Sequence, residues 1–305
     1  MKKILLGAVL ILGSLAPVAL SAKGPTPGRY RDYPALMTTV TGKLRHALER
    51  NPEATADSIR HNVLSTITDG PVGSARDLAP QRRKELKPTE IFDRCRRSAL
   101  VFGKMEYVPF AKADSAYSNA SAVALTADGI VATNYHVVAD LVIDGSLGRE
   151  IKGDKARFVM DYDGDVYPVT SVLYIDPIND LSIIRVDASA KPLTPAPLGP
   201  DLAPGSRVYC LSNPSGAYFH FTEGQVSNNT GVRDQRTGYP KYIMEITADY
   251  GVGASGGPIF DSCGNLAALV SSTFSLYAQP QQYRNFQMSY KQTVPVFLIR
   301  DLFAD

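Results

Sequence analysis

The 305-residue sequence has no tryptophan, only three cysteines and four histidines, and almost no net charge, with 32 Lys and Arg against 30 Asp and Glu. Each shortage excludes something. Cys95, Cys210 and Cys263 are too few for a disulfide framework and too widely spaced for a zinc site. In an oxidising compartment two of them can pair and leave one free, and spacing alone leaves open which two. The formal charge of +2 equals what Lys2 and Lys3 supply, so no global pull towards nucleic acid or an acidic membrane is expected. Past the amino terminus no apolar stretch is long enough to span a bilayer, and no internal repeat stands out.

The first residues break that pattern. Lys2 and Lys3 precede an apolar run from Ile4 that closes in small residues near Ala19, Ser21 and Ala22. This layout predicts a secretory signal peptide over residues 1–22, cleaved around Ser21 or Ala22, and hence an exported protein, periplasmic or secreted. Pro17 inside so short a run argues against a retained membrane anchor. No cysteine lies near the cleavage point to accept a lipid.

Apolar residues make up 44% of the chain, enough for a sizeable core. Residues 23–88 read as a helical segment followed by a linker. Leu36, Val40, Leu44 and Leu48 share one helical face, Ile59, Val63 and Ile67 share another, and Asn51-Pro52 separates them. The stretch from Gly70 to Lys87 is rich in charge and turn formers, with Gln81-Arg82-Arg83-Lys84 exposed. That basic run has no aromatic neighbours, so a solvated linker is expected rather than a nucleic-acid site. Whether the helical segment is a pro-segment, an inhibitor or a docking element stays open.

From about Thr89 the texture becomes that of short strands. Ala127-Asp128-Gly129 and Asp163-Gly164-Asp165 mark hairpins between β-type runs. Leu181 to Val186, Arg207 to Leu211, Lys241 to Ile246, Pro258 to Phe260 and Leu266 to Ser271 read as further strands. A proline-rich stretch, residues 188–205, divides two groups of strands, about 89–187 and 206–305, which predicts two β-barrels or sandwiches and a terminal helix over Val294 to Phe303. The alternating acids Asp161, Asp163 and Asp165 do not make a calcium loop, because valines stand where its glycine and closing glutamate belong.

Chemistry concentrates in three places. His46 and His61 lie in the polar helical region and read as surface residues, and His220, between two phenylalanines in a β-type run, reads as a packed or edge histidine. His136 follows a strand directly, where a turn can present an imidazole rigidly to a cleft as a general base. Ser255 sits in Gly253-Ala254-Ser255-Gly256-Gly257, a backbone free to converge its amides on one point. A serine nucleophile needs a base, and acyl transfer needs donors for the oxyanion. Asp180, before an apolar strand, can hold one side of an imidazole. The order His, Asp, Ser is one of those known for a catalytic triad.

The segments Ala132 to Val138, Asn179 to Ile184 and Gly253 to Pro258 resemble the three signatures of the trypsin-like serine peptidases, nearest to the bacterial HtrA or Deg branch. Arg207 to Gly216 resembles the strand and Asn-Pro turn that open the second barrel there. The resemblance covers residues 89–305 and implies an all-β core of two six-stranded antiparallel barrels with the cleft between them. It implies Ser255 as nucleophile, His136 as proton shuttle, Asp180 as the orienting carboxylate, and the N–H groups of Gly253 and Ser255 as the oxyanion hole. Protein or peptide substrates follow, with no cofactor, no metal and no nucleic acid. Ala254 stands where relatives have aspartate or asparagine, so the hold on the oxyanion loop is unaccounted for. The sequence stops too soon after this region for the PDZ module common in the HtrA branch. Asp249, six residues before Ser255, matches the floor of the primary specificity pocket, with Tyr250 and Thr273 where relatives have small residues; the competing reading, which those two residues favour, is a structural carboxylate tied up by backbone amides. Because some relatives bridge the corresponding strands, the resemblance also implies a Cys210–Cys263 disulfide. The competing reading is a catalytically silent binding or chaperone-like protein on the same scaffold; an esterase on another fold fits the surrounding strands less well.

Overall fold

A computed structural model describes residues 30–304. The leader expected over residues 1–22 lies outside them. Two helices come first, α1 (Tyr33–Arg50) and α2 (Ala56–Thr66). Val40 and Leu44 are the buried stripe of α1, and Ile59 and Val63 that of α2, as the helical spacing predicts. Thr55 caps α2 by accepting the Ser58 N–H at 3.1 Å. A short strand β1 (Gly73–Ser74) and helix α3 (Pro88–Cys95) lead into the sheets.

The first barrel holds β2 (Ala99–Val108), β3 (Ala113–Ala124), β4 (Ile130–Thr133), then helix α4 (Tyr135–Ser146), then β5 (Asp154–Met160), β6 (Val166–Asp176) and β7 (Leu181–Val186). It closes in the order β2-β3-β4-β7-β6-β5. The second barrel holds β8 (Arg207–Ser212), β9 (His220–Arg233), β10 (Pro240–Ile246), β11 (Pro258–Phe260), β12 (Leu266–Gln279) and β13 (Arg284–Pro295). It closes as β8-β9-β10-β13-β12-β11. Every pairing within the two barrels is antiparallel, as expected. Strand alternation sorts the core. Leu100 and Phe102 join a cluster shared with α2 and α4, while Val101 between them joins one shared with Tyr209, Leu211 and Phe260 of the second barrel. Each such side chain contributes roughly 1.5–3 kcal/mol on full burial.

Two expectations need correction. The terminal helix over residues 294–303 is a single turn, α5 (Phe297–Arg300), because Val294 is still paired with Leu269 in the barrel and the Val296 N–H bonds Ala267 O at 3.0 Å. The last strand, β14 (Phe303–Ala304), pairs in parallel with β1. The stretch from Gly70 to Lys87 is not a free linker either. Val72 N–H bonds Leu302 O, Arg82 N–H bonds the Asn265 side chain at 2.7 Å, the Arg82 guanidinium bonds Gly264 O, and Leu86 N–H bonds Ser262 O. Arg82 and the backbone at Val72 and Leu86 tie the stretch to the second barrel and the chain end, while Gln81, Arg83 and Lys84 face water as expected. Among the described residues no helix is long and apolar enough to cross a membrane.

Candidate active site

The strand β4 ends at Thr133, Asn134 turns the chain, and α4 begins at Tyr135, so His136 lies in the first turn of a helix anchored by buried Val137, Val138, Leu141 and Val142. Asn134 is itself buried and donates its side-chain amide to Asp180 O at 2.9 Å. Asp180 follows a tight turn in which Asp176 accepts the N–H groups of Ile178 and Asn179, both at 2.9 Å. Its φ of 57° is left-handed, a conformation that aspartate tolerates better than most residues. The turn and the Asn134 bond together aim the carboxylate at the start of α4.

That carboxylate is fully engaged. It accepts the His136 backbone N–H at 3.1 Å and lies 2.9 Å from ring Nδ1 through both oxygens. Ser271 on β12 donates its hydroxyl to Oδ2 at 2.7 Å. Burial acts to raise the Asp180 pKa, but the bonds from the His136 ring and Ser271 outweigh it and hold the carboxyl below the usual range. An ionised carboxylate can only accept, so Nδ1 carries a proton, and in the neutral imidazole the lone pair is then on Nε2. The imidazole is half exposed, at 50%.

Ser255 occupies the loop between β10 and β11. Ser121 on β3 donates its N–H to Ser255 O at 2.8 Å, and Gly256 N–H bonds Val270 O at 2.9 Å. Gly256 has φ 78°, and a Cβ there would overlap Ser121 O and the Thr133 side chain, so the loop lies flush against the ends of β3 and β4. Ser255 is thereby held beside the strand that delivers His136. Its hydroxyl makes no hydrogen bond to His136 or to any other group among the described residues. Amide use in this loop is selective. Ala254 N–H bonds Gly251 O, Gly256 N–H bonds Val270 O and Gly257 N–H bonds Ala254 O, whereas those of Gly253 and Ser255 bond to nothing among the described residues. Two unpaired amides flanking a serine can receive a developing oxyanion.

The surroundings of Asp249 differ from those of a carboxylate-floored pocket. Its side chain is 81% exposed and its Oδ1 lies 2.7 Å from Lys291 Nζ on β13. The hydrogen bond and charge of Lys291 hold its pKa below the usual range against the opposing effect of burial. Tyr250 is buried, and its hydroxyl lies within bonding distance of Ser272 O (3.1 Å) and Gln292 O (2.7 Å), spanning two neighbouring strands. Lys291 also bonds Tyr250 O at 2.6 Å, and Thr273 is paired with Lys291 across β12 and β13.

The Cys210–Cys263 disulfide is corrected: all three cysteines are free. Register gives the reason. Cys210 pairs with Ile259 and Tyr209 with Phe260, so Cys263, in the turn beyond β11, falls four positions past Cys210's partner. That turn, closed by Gly264 N–H on Asp261 O, carries Cys263 off the strand that pairs with Cys210. His46 is exposed beside Glu49, and His61 and His220 are exposed, away from the Asp180 carboxylate. Sequence reading missed Ser271, which stood only as the last residue of an apolar strand; the signal was a hydroxyl at the point where β12 turns from buried to exposed.

Comparison with known proteins follows the same lines. Residues 120–269 match the trypsin-like peptidase domain model. Protease Do-like 5, chloroplastic, of Arabidopsis thaliana is 31% identical over 153 residues, 48% of this chain and 46% of that protein. A probable periplasmic serine endoprotease DegP-like of Brucella suis is 30% identical over 157 residues, 51% of this chain and 28% of that protein. The aligned stretch is thus less than half of either relative's length. Among solved structures, the HtrA-type protease AlgW with decapeptide gives a TM-score of 0.53 at 20% identity, covering 70% of this chain and 65% of its own. Deg5 gives 0.52 at 22% identity, covering 70% and 90%. Residues 120–269 thus match a trypsin-like peptidase domain, and the relatives and the fold place the similarity on the HtrA side.

Proposed function

We propose that this chain is an exported serine endopeptidase that cleaves protein or peptide substrates through an acyl-enzyme. The observation that carries the reading is Asp180, whose carboxylate bonds both the ring and the backbone N–H of His136. A single residue that fixes the position and the tautomer of an imidazole is an expensive arrangement for structure alone. In the proposed reaction His136 Nε2 takes the Ser255 proton as Oγ attacks the scissile carbonyl. The N–H groups of Gly253 and Ser255 bind the oxyanion, and the protonated imidazole returns its proton to the leaving amine. Water then repeats the cycle on the acyl-enzyme. The chemistry draws on no cofactor, metal or nucleic acid, and export rests on the leader at residues 1–22.

Specificity is proposed to favour small residues before the cut. Lys291 already neutralises Asp249, and the Tyr250 ring takes up space a long side chain would need. The Ser255 hydroxyl, unbonded to His136, is the one feature that favours a silent binding protein instead. Such bonds commonly tighten only when substrate is present. Turnover of an unfolded protein substrate by purified chain decides between the two. Activity lost in both Ser255→Ala and His136→Ala supports the enzyme; inactive wild type, or turnover near wild type in either variant, overturns it.

A further inference from the structure

Ala254 offers no polar group to hold the loop that carries Ser255, so the hold must come from elsewhere. We propose that Ser121 and Ser215 are the positioning residues of the oxyanion loop, clamping Gly253 from both sides; this rests on the serine-peptidase reading above.

A peptide unit is planar and trans, so its C=O and N–H point in opposite directions, and fixing the carbonyl aims the amide. The carbonyl of Val252, in the peptide preceding Gly253, accepts the Ser215 N–H at 2.8 Å and the Ser215 hydroxyl at 3.2 Å. That aims the Gly253 N–H the other way. The carbonyl of Gly253 itself accepts the Ser121 hydroxyl at 3.1 Å, which fixes the peptide that follows. Ser121 N–H holds Ser255 O at 2.8 Å, two residues beyond. The Ser255 N–H is aimed in the same manner, since Ala254 O is held by Gly257 N–H at 2.8 Å.

The direction of the Ser121 bond is forced. Its oxygen already accepts the backbone N–H and the side-chain amide of Asn213, both at 3.0 Å. Both lone pairs are then used, and the single hydroxyl proton goes to Gly253 O. Asn213 is pinned in turn, donating to Leu100 O at 3.0 Å and accepting the Phe219 N–H at 2.9 Å. Ser121 is 0% exposed and Asn213 3%, so the network is closed to water and rigid. Ser215 sits at φ 45° and ψ 39°, a left-handed conformation unfavourable for serine, and strain of this kind is retained where geometry serves a site. Gly253 has no room for a side chain here: a Cβ would come within 2.9 Å of Asn213 O.

Two variants of the full chain test the clamp, Ser121→Ala and Ser215→Gly, assayed well below their melting temperatures. Removing a whole oxyanion donor costs about 100- to 1,000-fold in kcat, so Ser121→Ala, which frees Gly253 O, is expected to cost about 10- to 100-fold, and Ser215→Gly, which keeps the backbone N–H on Val252 O and loses only the hydroxyl bond, about three- to tenfold, each with KM within about threefold. Affinity for a peptide aldehyde, which forms a tetrahedral adduct on Ser255, should fall in step with kcat. Affinity of an uncleavable peptide should not change. Ser215→Gly relieves left-handed strain and should melt no lower than wild type, so its loss of rate cannot be unfolding. Folded variants with kcat and aldehyde affinity within twofold of wild type overturn the clamp alone. A wild type that neither turns over peptide nor binds the aldehyde overturns the peptidase reading and the clamp with it.

Discussion

Ser271 Oγ lies 2.7 Å from Asp180 Oδ2, a bond from β12 of the second barrel to the carboxylate that opens β7 of the first. The carboxylate that fixes His136 is therefore itself fixed by the opposite barrel, and the two halves of the site are in register only when the barrels are docked.

Ser271→Ala should lower stability at neutral pH by about 1.5–3 kcal/mol, the usual worth of a hydrogen bond to a charged group. The sign of its pH dependence is fixed by the Asp180 pKa, which the His136 and Ser271 bonds lower against the opposing effect of burial. A depressed carboxylate contributes stability that is present above its unfolded value, about 4, and is lost as pH falls through the lower folded value. The melting deficit of the variant should therefore be largest near pH 6–7 and shrink as pH falls below about 4. Melting curves at both extremes check this, and a deficit that is the same at both contradicts it.

Asp154→Ala should be far more damaging. Arg60 of α2 and Arg157 of β5 are each 2% exposed and share the Asp154 carboxylate, with Arg157 also 2.6 Å from Asp140 of α4. Burial opposes ionisation of Asp154, yet the two guanidiniums keep its pKa below the usual range. Removing it leaves two buried cations short of a partner, at a cost of about 3–5 kcal/mol. Urea unfolding measures the loss; a change under about 1 kcal/mol shows that the cluster does not tie α2 and α4 to the barrel.

The thiols give an independent check of packing. Burial pushes Cys95 and Cys210 up to about 12, whereas Cys263 is partly exposed and is raised less. At pH 8 a thiol of pKa 12 is about one part in ten thousand thiolate. Iodoacetamide should modify Cys263 alone in native protein and all three cysteines in denaturant. Recovery of a Cys210–Cys263 linked peptide from unreduced protein contradicts the register of β8 and β11.

Much of this was legible in the sequence because the local signals were strong. The strand Leu181 to Val186 and the turns at Asp128-Gly129 and Gly164 follow directly from strand composition and turn chemistry. His136, Asp180 and Ser255 each stood beside a strand end or a glycine turn. What was missed depends on partners remote in the chain. Arg82 reads as solvated until Asn265, 183 residues on, supplies its contacts. Val294 has helix-like neighbours, but strand pairing with Leu269 decides its conformation. β12 and β13 run on past the barrel to Gln279 and back from Arg284 with Phe274, Phe286 and Met288 exposed, so the alternation that marks a half-buried strand is absent there. Ser121 and Ser271 look like ordinary strand serines; only the tertiary fold puts one under Gly253 and the other under Asp180.

Specificity follows from Lys291 and Tyr250. A peptide-library digest should show cleavage after small aliphatic residues, unchanged by Asp249→Ser, because that carboxylate is already paired. Lys291→Met should shift the profile measurably towards basic residues by freeing the charge. A wild-type preference for arginine or lysine that disappears in Asp249→Ser contradicts this account.

The central claim is that Ser255 is a nucleophile activated by His136 and Asp180. Its most direct test is covalent: purified protein is treated with a fluorophosphonate and the modified peptide is mapped by mass spectrometry. The account predicts one adduct, on Ser255, absent in Ser255→Ala and slowed at least about 100-fold in His136→Ala. No adduct on Ser255 under conditions that label a known serine peptidase, or labelling that is unchanged in His136→Ala, would contradict it.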